Sequence, residues 1–330
     1  MVRSGHISSS LRTEPFVSVV IATHNRPAAL RQALRSVLAQ TQTDWEAIVV
    51  GDACRPDTGA AVAAFGDERI SYVDLPVNFG EQSGPNNIGF ARARGRFVAI
   101  LNHDDVWFPD HLAATTGWAD ATGADIVIAR GAVIRPDGDA GAASNAIFGD
   151  GKDGFYDPVT TAGFGSAQVV RRASLERLGG WRPASQCFCE SSQDWLFRAW
   201  RKGATIATMP HLTVLKLHSG ERQGSYVQDD AREQRELVDA MEAPDALRAK
   251  ILDRAIASEP QKPLTYLRRR LLASLGIHPR ARTFRRGHAR GAFVAMLREI
   301  RGLPPMPERE PGLTEMLARY RVIGQDRDQH

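Results

Sequence analysis

Between Phe16 and Leu101 the chain repeats one unit: an unbroken aliphatic run, a polar break, then apolar residues at helical spacing. The runs FVSVVIATHN, WEAIVVGD, RISYVDL and RFVAIL carry the apolar density of strands buried on both faces. After the first, Pro27 stands where a first helical turn tolerates proline, and Leu30, Ala33, Leu34, Val37 and Leu38 follow on one helical face. Asp57 and Thr58 open a second helix through Phe65, and GPNNIGFARARG reads as a third with Gly95 as its stop. A β-α-β-α-β-α-β order of this kind predicts an α/β fold built on an open, mostly parallel sheet with helices on both faces.

In such sheets ligands bind beyond the carboxyl ends of the strands. Here those ends carry Thr23-His24-Asn25, Asp52, and Asn102-His103-Asp104-Asp105. No G-x-G-x-x-G follows the first strand and no G-x-x-x-x-G-K-[ST] occurs, so dinucleotide-binding and P-loop readings lose their support. A pyrophosphate would need another neutralising group, and a divalent cation held by carboxylates is the natural one. Asp105 reads as the residue that fixes the turn into the following helix, since a cap needs one carboxylate.

ADIVIARGAVI, TIATMP and LTVLKLH extend the strand pattern, while Pro136–Asp157 reads as a long loop and ESSQDWLFRAWRKG as an amphipathic helix. The expected organisation is a flexible leader over 1–15, a catalytic domain over 16–224 and a helical, basic region over 225–330. From Lys262 to Arg301 the charged residues are basic except Glu299. That bias suits a solvated helical face, a protein partner or an anionic lipid surface, with YLRRRLLASLG patterned as an interfacial helix. It carries no nucleic-acid module, so no nucleic-acid partner is expected. No apolar run approaches the roughly 18 residues a membrane span requires, and the leader lacks a signal-peptide core. Three cysteines, Cys54, Cys187 and Cys189, suit neither a disulfide framework nor a zinc site. A cytoplasmic home, peripheral at the inner face of the membrane if the basic helices dock, is the expectation.

VSVVIATHNRPAALRQALRSVLAQTQTDWEAIVVGD, GFARARGRFVAILNHDDVWFPDHL and SSQDWLFRAWRKG, in that order and spacing, resemble inverting family-2 glycosyltransferases of the GT-A fold, over roughly Val17 to His218. The resemblance implies a nucleotide-diphospho-sugar donor and a glycan, lipid-linked or protein acceptor. It implies that Thr23, His24, Asn25 and Asp52 lie around the donor's base, His24 stacking on it and Asp52 accepting its ring N–H. Asn102-His103-Asp104 matches the family's Asp-x-Asp motif, so Asp104 would hold Mg²⁺ or Mn²⁺ bridging the phosphates, with His218 nearby. Asp194 matches the general base that deprotonates the acceptor hydroxyl, with Glu190 as the competing carboxylate. Two departures stand out: Asn102 replaces the usual first Asp, and Asn86 stands where many relatives have Arg.

The chemistry fits these residue types. A hard cation stabilises a departing nucleoside diphosphate without proton transfer, and one carboxylate opposite the leaving group takes the acceptor's proton. One base and no enzymic nucleophile predict inversion at the anomeric carbon. Two other classes remain in view: a non-catalytic sugar-nucleotide-binding or scaffolding protein weakened at Asn102, and a nucleotidyltransferase, although ATHNRPAAL lacks that class's Gly-rich basic loop.

Overall fold

A computed structural model describes residues 14–134, 145–217, 223–256, 263–279 and 290–305. The chain opens with β1 (Val17–Thr23), α1 (Pro27–Leu38), β2 (Trp45–Gly51), α2 (Pro56–Ala63), β3 (Ile70–Asp74), α3 (Ser83–Arg92) and β4 (Phe97–Asn102). β1 pairs in parallel with both β2 and β4, and β2 with β3. Val17, Val19, Val20 and Ile21 of β1 are all buried with their β2 and β4 neighbours, which is why these strands read as unbroken apolar runs. α1 and α2 both begin on a proline, Pro27 and Pro56, whose missing N–H is an orphan at that position anyway.

Gly95 serves a different purpose from the expected helix stop. α3 ends at Arg92 with Ala93 extended behind it. Gly95 instead donates its N–H to Ser18 Oγ at 2.8 Å, and a Cβ there would press on the Val17–Ser18 backbone. It is glycine because the chain passes too close to β1 for a side chain.

The remaining elements are β5 (Val106–Trp107), α4 (His111–Thr122), β6 (Ile126–Ile134), β7 (Asn145–Phe148), β8 (Gln168–Arg171), α5 (Arg172–Leu178), α6 (Ser191–Arg201), β9 (Ile206–Leu217), α7 (Arg232–Ala240), α8 (Pro244–Asp253), β10 (Ala255–Ile256), α9 (Pro263–Ser274) and α10 (Ala292–Arg301). The sheet runs β10-β7-β6-β8-β4-β1-β2-β3, with β9 on β6 and β5 on β9. Its first half is parallel as expected, but β8 lies antiparallel between β4 and β6, and β7 runs antiparallel to β6. The second half is therefore mixed.

TIATMP and LTVLKLH form one strand, β9, whose register against β6 shifts around Arg130. The expected loop 136–157 contains β7, a four-residue strand too short to show periodicity. The helices after residue 224 do not stand apart: Met241 and Ile251 join Val106, Phe108, Leu212 and Leu215 in a second apolar cluster. Asp229 also accepts the N–H of Ala28 at 2.6 Å, placing a carboxylate on the free N-terminal amides of α1. Residues 1–13 of the expected leader, the segment LTEMLARYRVI and His218 lie outside the described residues.

Candidate active site

The carboxyl ends of β1, β2 and β4 open into one cleft whose walls include Thr23, His24, Asp52, Asn102, His103 and Asp104. These strand-end residues meet because β1 lies between the other two in register. Asn25 and Asn86 do not line it. Asn25, at φ +47, accepts the Arg55 N–H at 2.7 Å and donates to His24 Nε2 at 3.1 Å, so it buttresses His24. Asn86 is 1% exposed, and its amide has no partner among the described residues. Thr23 contributes a buried hydroxyl, also without a hydrogen-bond partner.

His24 Nδ1 donates to the Asp52 carbonyl at 2.8 Å, which fixes the tautomer with Nε2 as acceptor. Burial lowers its pKa, so the ring is neutral at neutral pH. The Tyr226 ring faces it, centroids 6.3 Å apart and planes 30° from parallel. The Asp52 carboxylate is already engaged: it accepts the N–H of Phe79 at 2.7 Å and of Gly80 at 3.1 Å. Burial raises it to about 6, with the two amides opposing. Asp52 thus clamps the turn that follows β3, and a base contact has to use the remaining lone pairs.

Asn102 and Asp105 form a unit beneath the cleft. The Asn102 amide donates to Asp105 Oδ2 at 3.0 Å, Ser166 Oγ reaches the same oxygen at 2.5 Å, and Leu217 N–H reaches Oδ1 at 3.1 Å. Asp105 is therefore no cap of the next helix: α4 has Asp110 at its N-cap, with no side-chain cap bond. It ties the end of β4 to the end of β9, and burial with the neighbouring Asp104 charge raises it to about 7.

Asp104 is the carboxylate of this turn that lines the cleft. Arg26, 1% exposed, approaches its Oδ2 at 3.4 Å. Burial pushes Asp104 up, but its interactions with the neighbouring His103 and with the cationic Arg26, Arg301 and Lys216 outweigh that and hold the group below the usual carboxylate range. His103 donates from Nδ1 to the Ala22 carbonyl at 3.2 Å and accepts the Tyr226 hydroxyl at 3.4 Å. Burial drops its pKa to about 4. Among the described residues no three His, Cys, Asp or Glu side chains converge as cation ligands, so a cation here would rest on Asp104 and on oxygens of the donor and water.

α6 brings Glu190, Ser191 and Ser192 to the cleft wall at its N-terminal end. Asp194 sits one turn in, outside the wall, with Oδ2 paired to Arg198 Nε at 2.7 Å. That is an i,i+4 ion pair with the acid in the first turn, a favourable arrangement for the helix itself. Trp107 and Trp181 are buried packing residues.

Five cleft residues escaped sequence reasoning, Glu81, Lys216, Tyr226, Arg298 and Arg301, as did Arg26, buried behind Asp104. Glu81 binds Ser83 through both hydroxyl and N–H and reaches Ser191 Oγ at 3.4 Å; burial raises it to about 7. Its one sequence signal is an acid two residues before a helix-opening serine. Arg26 stood beside the strand-end motif, but nothing local marks an arginine as buried. Tyr226 and the α10 arginines arrive from sequence positions some two hundred residues away.

Residues 18–179 match the description "Glycosyl transferase family 2". The chain is 38% identical over 124 residues to the succinoglycan biosynthesis protein ExoO of Rhizobium meliloti, covering 38% of this chain and 35% of that protein. It is 32% identical over 96 residues to an Escherichia coli protein named UDP-Glc:alpha-D-GlcNAc-diphosphoundecaprenol beta-1,3-glucosyltransferase WfgD, covering 29% and 38%. The matches thus span little more than a third of each relative's length. Among solved structures, S. aureus TarS 1-349 in complex with UDP is similar with a TM-score of 0.51 at 15% identity, covering 95% of this chain and 91% of that one. The mannosyltransferase PcManGT of Pyrobaculum calidifontis, in complex with GDP-Man and Mn²⁺, reaches 0.50 at 19%, covering 87% and 88%. With its three parallel strand ends, its acidic turn after β4 and these likenesses, the chain has the GT-A fold and carries, over residues 18–179, a glycosyl transferase family 2 region.

Proposed function

We propose that this chain is an inverting glycosyltransferase. It takes a sugar from a nucleotide-diphospho-sugar, UDP-sugars favoured, and passes it to an acceptor hydroxyl in surface polysaccharide, lipid-linked glycan or glycoprotein synthesis. The observation that carries the reading is the convergence of His24, Asp52 and Asp104 from three strand ends on one cleft. The base stacks on His24, beside Tyr226. Asp104 would hold a divalent cation, Mg²⁺ or Mn²⁺, whose charge stabilises the leaving diphosphate. The acceptor proton goes to a carboxylate of the first turn of α6: Asp194 by family position, with Glu190, at the cleft wall, as its rival. With one base and no enzymic nucleophile, attack opposite the leaving group inverts the anomeric carbon. Names of relatives that print succinoglycan and diphosphoundecaprenol support a polysaccharide or lipid-linked acceptor.

A lipid-linked acceptor places the work at the inner membrane face, and α9 fits that setting. Arg270 pairs with Asp157 at 2.8 Å and Ala273 is buried, so that face holds the protein body. Leu264, Leu267, Leu271 and Leu275 on the other face are 60–82% exposed, with Arg268 exposed among them. Leucines beside arginine suit the interface of an anionic bilayer. No helix among the described residues is long and apolar enough to cross a membrane.

A non-catalytic sugar-nucleotide-binding role is the second reading, favoured by the Asp194–Arg198 pair. Calorimetry with UDP, GDP and dTDP, with and without Mn²⁺, followed by a donor screen for nucleotide release, separates the two. Metal-strengthened binding lost in Asp104→Ala, with turnover of one donor, supports the enzyme. Metal-indifferent binding without turnover supports the second reading, and no nucleotide binding removes both.

A further inference from the structure

Three basic side chains surround Asp104. Arg26 comes from the β1–α1 connection, Lys216 from the end of β9 and Arg301 from the last turn of α10, and all three act electrostatically on that one carboxylate. Arginines in a last helical turn ordinarily serve the helix by facing its free carbonyls in water. These two do not sit in water alone: Arg298 is 6% exposed, and both it and Arg301 line the cleft.

The end of α10 is held firmly. The Arg298 guanidinium donates to the carbonyl of Gly80 and, at 2.9 Å, to that of Pro304. Gly302, at φ +74, ends the helix, and Leu303 N–H returns to the Arg298 carbonyl at 2.9 Å while Gly302 N–H reaches the Glu299 carbonyl at 3.1 Å, closing a Schellman-type helix end. The segment carrying Tyr226 is bonded to the same turn, through Gly224 N–H to Ile300 O at 2.9 Å and Tyr226 N–H to Arg301 O at 3.3 Å. The Tyr226 ring then has two guanidiniums near it, Arg26 at 5.4 Å and Arg301 at 5.7 Å from its centroid. Arg298 influences the nucleoside end of the cleft, His24 and Asp52. Arg301 influences the Asp104 end, through His103 and Asp104.

Resting on the donor reading above, we infer that Arg301 of α10, together with Lys216, binds the donor's diphosphate directly, so that nucleoside diphosphates bind without a divalent cation, while the buried Arg26 stays with Asp104. Arg298 is a positioning residue that fixes α10 against the turn after β3. Guanidinium matches phosphate oxygens in a two-pronged geometry, and a partly enclosed cleft strengthens the attraction relative to bulk water. The helical region after residue 224 is thereby a structural part of the donor site.

The test is calorimetry on the full chain in EDTA with UDP and GDP, each beside its nucleoside, uridine or guanosine. Wild type is expected to bind one nucleoside diphosphate in EDTA. Arg301→Ala is expected to weaken it tenfold or more, with the nucleoside's affinity within twofold of wild type, and Arg301→Lys to recover part of the loss. An unchanged diphosphate affinity in Arg301→Ala, an equal loss for nucleoside, or wild-type binding that requires Mn²⁺ overturns the inference and leaves the donor reading standing. A wild type that binds no nucleoside diphosphate under any condition removes both.

Discussion

The side-chain amide of Asn102 donates to Asp105 Oδ2 at 3.0 Å in a pocket where Asp105 is 1% exposed. This contact explains why the chain can depart from the family's acidic motif at Asn102. An aspartate there would set a second, half-buried carboxylate against the buried Asp105, with Ser166 already on the shared oxygen.

Asn102→Asp is therefore expected to destabilise the fold at pH 7.5 by about 2–4 kcal/mol, the usual cost of an uncompensated buried charge. The crowded carboxylates should also attract a divalent ion more strongly. Thermal melts with and without Mn²⁺ check both effects: the metal is expected to raise the variant's Tm more than the wild type's. Equal Tm values, or equal metal shifts, contradict the account.

A second prediction concerns the nucleoside end. Because His24 is neutral and its tautomer fixed by the Asp52 carbonyl, it acts by its ring face and not by charge. His24→Ala should weaken UDP or GDP binding by about tenfold, within the 1–3 kcal/mol range of a base–aromatic stack. His24→Phe should keep most of the affinity. Calorimetry at pH 7.5 reads this, and a Phe variant as weak as the Ala variant shows that stacking is not the role.

For the base, Asp194→Asn should retain nucleotide affinity and lose sugar transfer by several orders of magnitude, while Glu190→Gln should lose little. General-base catalysis alone accounts for about 10²–10⁴ of such a loss. The Asp194–Arg198 pair adds a companion expectation: Arg198→Lys, which keeps the charge but changes its geometry, should shift the pH profile of turnover without abolishing it. Full activity in Asp194→Asn with loss in Glu190→Gln moves the role to the cleft-wall residue.

The sheet that frames this site was legible because strands buried on both faces leave unbroken apolar runs, as in VSVVIAT and FVAIL. Helices showed through the spacing of Leu30, Leu34 and Val37. The strand-end residues His24, Asp52 and Asp104 followed from where those runs stop. What stayed hidden is non-local. β7 is an apolar fragment that becomes a strand by pairing with β6 and β10. Arg298 and Arg301 belong to a segment whose charge suits a solvated face equally well, and nothing in the spacing of two arginines says which way they point. The partner of Asn102 was one turn away in sequence, yet its orientation depends on Ser166 and Leu217, from distant elements.

On α9, Leu267→Glu with Leu271→Glu should abolish binding to vesicles of anionic phospholipid without lowering Tm, since both side chains are more than half exposed. Wild type is expected to float with anionic vesicles and not with zwitterionic ones, and high salt should weaken the association because basic side chains near the surface supply part of it. Wild type that stays unbound in flotation removes the membrane surface from the proposal.

The last prediction is a pH dependence of stability carried by Glu81. Burial raises its pKa from 4.5 to about 7. Between those values the folded chain keeps a proton that the unfolded chain releases, so stability falls as pH rises through that window, and the full penalty is present above it. Glu81→Gln removes the titration. The glutamine oxygen still accepts from Ser83, and its amide donates to a serine hydroxyl. The variant should therefore be the more stable form at pH 8, by up to about 3 kcal/mol at the conversion of 1.36 kcal/mol per pKa unit, with the advantage shrinking toward pH 4.5. Chemical denaturation of both proteins at pH 5 and pH 8 measures it. A gap that is constant with pH, or that widens toward acid, shows that Glu81 is charged in the fold and that a cation of the cleft compensates it.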